Sequence, residues 1–129
     1  MECPDCGGDA LVLDVPADLR EHAPDGATRV AFCPDCFSLT AAPGADAPAE
    51  PAFERLGPRA PTGRAGVAFA LLCGHLDSLA LHRSRIEALV AAVEDAGGDP
   101  LLALDRLVAT GVDPGFDLRR RRTQLSGLL

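Results

Sequence analysis

Four of the five cysteines fall in two identical tetrapeptides, Cys3-Pro4-Asp5-Cys6 and Cys33-Pro34-Asp35-Cys36. A Cys-x-x-Cys turn curls its backbone so that both sulfurs point at one centre, and two such hooks supply the four soft ligands of a tetrahedral site of the kind Zn²⁺ accepts. Proline fixes φ at the start of each turn. Gly7 follows the first hook and suits a backbone that leaves it at positive φ; Phe37 follows the second, so the second hook is expected to turn less tightly. Four sulfurs leave no coordination position for water or substrate. The expectation is therefore one structural Zn²⁺ held by Cys3, Cys6, Cys33 and Cys36. The same tetrapeptide occurs at thiol redox sites, but that chemistry wants a single hook at a helix start after a strand, and the first hook here follows no strand.

The remaining reactive residues are less ordered. Cys73, His75 and Asp77 crowd one stretch and suggest a nucleophile with its base. On a helix, however, Cys73 and Asp77 lie one turn apart while His75 points to the other side, so the expected role of Cys73 is a buried small thiol. His75 and His82 share a helical face at i and i+7 without a third ligand between them, which reads as bundle-edge histidines. His22 is the only other ligand type near the second hook and is expected to be a solvated loop residue. Arg119 to Arg122 form the sharpest basic feature. With no Trp or Tyr in the chain to stack bases, ion pairing with Glu87, Glu94, Asp95, Asp105 or a partner is expected ahead of phosphate contact.

The elements that must position these groups can be read from the apolar pattern. Ala10 to Val15 reads as a strand with Leu11, Leu13 and Val15 on one face, ended by Pro16. Residues 17 to 28 form a polar connection, Arg29 to Phe32 a second strand running into the second hook, and Phe37 to Thr40 a third leaving it. Residues 1 to 40 thus have the order of a zinc ribbon. Residues 41 to 61, rich in Ala, Pro and acids, read as a linker that Phe53 and Leu56 could pin onto the next domain. Residues 62 to 129 read as a bundle: a helix from about Gly63 to Leu81 capped by Thr62, a second opened by a Ser84/Glu87 capping box and closed at Gly97-Gly98, and further starts at Asp99-Pro100 and Asp113-Pro114. The fold class expected is α+β, a three-stranded zinc ribbon joined to a small antiparallel helical bundle.

Composition limits the function. All 12 basic residues are Arg, Asp outnumbers Glu by 13 to 6, and the net charge is −7. Residues 1 to 56 carry 11 acids against 3 Arg, a poor surface for phosphates. No apolar run is long enough to span a bilayer and no export signal is visible, so neither a membrane partner nor secretion is expected, and the cytoplasm is the expected location. Reducing conditions there favour metal over disulfide at the hooks. Abundant Ala and Asp without Lys look like the proteome of a halophilic archaeon.

Leu76-Asp77-Ser78-Leu79-Ala80-Leu81, Asp99-Pro100 with Leu104-Asp105-Arg106-Leu107, and Phe116-Asp117-Leu118 leading into Arg119 to Arg122 resemble an uncharacterised family of haloarchaeal zinc-ribbon proteins. The resemblance covers most of the chain. It implies a cytosolic archaeal protein with a structural zinc on the four hook cysteines, and it brings no established activity.

Together these readings favour a non-enzymatic interaction or regulatory module with protein partners. A homodimer is among those partners, because a bundle this small gains core by dimerising. The alternative is a nucleic-acid-associated transcription or translation factor using Arg119 to Arg122. Removing the metal is expected to unfold the ribbon and leave the helices.

Overall fold

The computed structural model describes residues 1 to 129. Alternating apolar residues after the first hook build strand β1 (Leu11–Asp14), which pairs antiparallel with β2 (Arg29–Phe32); β3 (Leu39–Ala41) adds to the other side of β2. The order is β1-β2-β3. The register puts Leu11 opposite Phe32 and Leu13 opposite Val30, so one face of the sheet presents large apolar side chains. The other face carries Ala10 and Ala31, which with Cys3, Cys33 and Ala42 form a small second cluster behind the hooks. Between β1 and β2 the chain makes 3-10 turns at Ala17–His22 and Pro24–Gly26.

Helices α1 (Gly63–His75), α2 (Arg83–Asp95), α3 (Pro100–Ala109) and α4 (Leu118–Leu128) follow. The protein is thus α+β, a three-stranded antiparallel sheet followed by four helices, with the hook cysteines beside the sheet. Helix α1 is central: Ala65 to Cys73 are all buried, and α2 packs along it. One core of 28 buried residues runs from Leu11, Leu13 and Phe32 of the sheet through Phe69 and Leu72 of α1 to Leu104 of α3 and Leu125 of α4. Phe53 and Leu56, in a 3-10 turn at Phe53–Leu56, are buried in this same core. Hence the helices and the sheet share a single hydrophobic interior. The apolar surface of α1 is covered by the chain itself.

Several helix ends differ from the sequence reading. Helix α1 stops at His75, not Leu81, and tightens into a 3-10 turn at Leu76–Ser78. Two long-range contacts hold that end: the His75 ring meets the His22 carbonyl at 2.6 Å, and Arg121 Nη2 donates to the Asp77 carbonyl at 3.3 Å. Leu81 then swings outward and is 84% exposed. The Ser84/Glu87 capping box does not form, because α2 begins at Arg83 and Glu87 pairs with that residue at 3.1 Å instead. The Thr62 hydroxyl makes no cap bond either. Asp99 does cap α3, accepting from the Leu102 amide at 3.0 Å. Asp113-Pro114 starts no helix: the Asp113 side chain accepts from the Gly115 amide, closing a local turn. Helix α4 begins four residues later under an Asp117 cap that accepts from Arg120 N.

Candidate metal centre

Each hook is built by the same pair of backbone bonds. In the first, the Gly7 amide donates to the Cys3 carbonyl at 2.9 Å and the Cys3 amide to the Gly8 carbonyl at 2.7 Å. In the second, Phe37 donates to Cys33 at 2.7 Å and Cys33 to Ser38 at 2.9 Å. Gly7 has φ 76° and Phe37 φ 63°. The expectation of a looser second hook is therefore wrong: Phe37 accepts the left-handed backbone that Gly7 adopts without strain. What compensates is its ring, buried against Phe32 at 5.5 Å and against Phe116, in the connection before α4, at 6.0 Å. The third strand accordingly starts at Leu39, two residues later than the sequence suggests.

The two hooks face each other. Cys3 Sγ lies 3.6 Å from Cys36 Sγ, Cys6 Sγ lies 3.5 Å from Cys33 Sγ, and all four sulfurs are within 4.8 Å of one another. A tetrahedral centre with metal–sulfur bonds of about 2.3 Å places its sulfurs about 3.8 Å apart, so this donor set fits a thiophilic metal with small adjustments. The Gly8 amide already points at Cys6 Sγ, 3.4 Å away, as amides that support thiolate ligands do. Without metal the thiols are dissimilar. The Cys6 amide holds the Cys3 thiol down to about 7, while burial pushes the Cys33 thiol up and the Cys36 thiol up to about 12. A metal that takes all four as thiolates must therefore displace protons.

Three residues around the hooks escaped the sequence reading. Asp5 accepts a hydrogen bond from the Ser38 hydroxyl, so the first hook is tied to the exit of the second. Asp35, its counterpart, lies against Gly8 at the exit of the first. Arg55 donates to the Asp9 carbonyl and comes within 4.0 Å of the Asp35 carboxylate, so the Phe53–Leu56 turn grips both hooks. The identical Asp in both tetrapeptides was the available signal; Arg55 had none, because its contact spans 46 residues of sequence.

The other candidate groups do not assemble into a reactive site. Cys73 is 1% exposed, and burial pushes its thiol well above the ordinary range. His75 is engaged with the His22 carbonyl. His22 is not a solvated loop residue: it closes the Ala17–His22 turn, is 8% exposed, and leaves Nδ1 without a partner. The His75 and His82 rings stand 5.0 Å apart, so the three histidines gather at one edge of the helices. Burial lowers both His22 and His75 below the usual imidazole range. Of the four consecutive arginines, Arg122 pairs with Asp105 at 2.7 Å and Arg121 bonds Gln124 and the Asp77 carbonyl. Arg119 and Arg120 make no ion pair. No helix is long and apolar enough to cross a membrane.

A short sheet with paired cysteine hooks docked on a helical half defines a small α+β protein with a four-cysteine candidate metal site. The chain belongs to a family of unknown function, DUF6276, whose family pattern matches residues 2–129. No curated protein and no solved structure matches it.

Proposed function

We propose that the protein is a non-enzymatic interaction module whose fold is closed by one structural Zn²⁺ on Cys3, Cys6, Cys33 and Cys36. The observation that carries this reading is the four-sulfur set itself: it offers a complete tetrahedral shell, and Cys3 and Cys33 are buried in the small cluster on the far face of the sheet. When bound, the zinc would cross-link two chain segments 27 residues or more apart and supply no open position for a substrate. The protein's own residues prepare the shell. The hook amides orient the sulfurs, Asp5 and Ser38 lock one hook to the other, and Arg55 offsets the negative charge of four thiolates.

The partners in this reading are proteins and the setting is the cytoplasm. The alternative, a nucleic-acid-associated factor, draws on the unpaired Arg119 and Arg120. It is weaker because Arg121 and Arg122 are engaged internally and the acidic first half repels phosphate. The test is to immobilise the zinc-loaded chain and the Cys33→Ser variant, and to assay both for thiol-driven insulin reduction. A saturable protein complex formed by the loaded chain alone, without catalysis, supports the reading. Disulfide reduction that depends on Cys3 or Cys33 would overturn it.

A further inference from the structure

Resting on the reading of the protein as an interaction module, we infer that the groove between the Leu76–Leu81 connection and α4 is its docking site, and that its occupant is an acidic polypeptide segment carrying aliphatic side chains. The groove encloses about 750 Å³. Its apolar surface comes from Leu79, Leu81 and Leu128, and Arg83 and Arg121 stand among them. Leu81, 84% exposed, is the most exposed large apolar side chain of the protein, although it ends an apolar run that could have continued into the core. Grouped with Leu79 and Leu128 in one groove, it offers apolar area that a partner's aliphatic side chain can cover.

Charge selects the partner. The two segments that wall the groove, residues 77 to 86 and 118 to 129, hold six Arg against one acid, Asp77. The rest of the chain holds the other 18 acids against the other six Arg. Beside the groove Arg85, Arg119 and Arg120 make no ion pair, while Arg121 within it is held by neutral partners, Gln124 and the Asp77 carbonyl. Arg83 is held only by an exposed pair with Glu87, which a stronger carboxylate contact can replace. A basic rim around aliphatic side chains matches an acidic segment with Leu-like residues. It does not match single-stranded nucleic acid, because no aromatic ring lines the groove to stack a base.

The test uses the full zinc-loaded chain and fluorescein-labelled peptides of repeating Asp-Asp-Leu and Asp-Asp-Ser, read by anisotropy at about 0.15 M salt, where charges within about 8 Å still act. The Leu peptide is expected to bind in a saturable manner, with the Ser peptide, Leu81→Asp and Arg121→Glu each weakening it roughly tenfold or more. Leu81 is solvent-exposed, so its variant keeps the fold, which circular dichroism verifies. Equal binding of the two peptides, no binding of either, or variants that bind like the wild type would each overturn the inference. So would tighter binding of an oligonucleotide or of phosphatidylglycerol vesicles, or a dimer that the Leu81 variant dissolves. If the peptide fails while the immobilised chain still forms its zinc-dependent protein complex, the groove is wrong and the interaction reading stands.

Discussion

The two hooks share a sequence, a hydrogen-bond pattern and a backbone path, yet they sit in different surroundings. The first lies at the edge: Cys6 is exposed and Gly7 meets little beyond the hook. The second is pressed into the molecule, with Cys33 fully buried, Phe37 wedged between Phe32 and Phe116, and Leu39 packed on Gly74 of α1. One tetrapeptide thus serves as a hook alone and its copy as hook and joint. The residue directly after the second Cys decides which: glycine relaxes the turn, whereas phenylalanine accepts strain and anchors the sheet to the helices.

The largest effect should come from the ligands. Cys33→Ser should abolish metal retention and, because the sheet and helices share one core, lower the cooperative stability of the whole chain. Structural zinc contributes on the order of 10 kcal/mol in small domains, so the variant is expected to lack a thermal transition in calorimetry. This replaces the expectation that the helices survive metal removal; a helical half melting as before would separate the two regions again.

At the joint, Phe37→Ala should cost about 3 to 5 kcal/mol in urea unfolding, through the lost ring. Phe37→Gly should cost about 1 kcal/mol less than that, because it relieves the positive φ. At the first hook the order is the same, with Gly7→Ala destabilising by about 1 kcal/mol. If Phe37→Gly proves worse than Phe37→Ala, backbone strain is not what separates the hooks. Next in size is Gly74→Ala, whose Cβ would stand 2.7 Å from Leu39 side-chain atoms and force the sheet off α1, at about 1 to 3 kcal/mol.

The smallest effect concerns pH. His22 and His75 have folded pKa values below the unfolded imidazole value, mainly through burial, so the unfolded chain binds more protons as pH falls. Stability is therefore complete above about pH 6.5 and declines below it, as pH falls toward the lowered folded values. His75→Gln, which keeps a donor for the His22 carbonyl, should flatten this decline; an unchanged slope would mean that His75 does not contribute to it.

The four-cysteine cluster, the strand order and the sheet-plus-helices class were legible in the sequence, because period-2 alternation and paired hooks are local signals. What was not legible depended on partners distant in the chain. Nothing near Phe37 announces Phe116, and without that contact a bulky residue at positive φ looks like a flaw. The end of α1 at His75 is set by His22 and Arg121, while its apolar pattern runs on to Leu81. His22 reads as polar loop until the His75 ring is seen against its carbonyl. At Asp113-Pro114 a cap signature was outcompeted by a local side-chain turn, which freed Phe116 to reach the second hook.

Whether both hooks close on one metal is decided by metal analysis of protein purified without added zinc, paired with a native thiol count. The expected result is one zinc per chain and no rapidly reacting thiol, with four thiols appearing on chelation and the fifth, Cys73, only on unfolding. Metal-free protein whose hook cysteines react at once, or are found joined as disulfides, would show that the hooks do not form a metal centre.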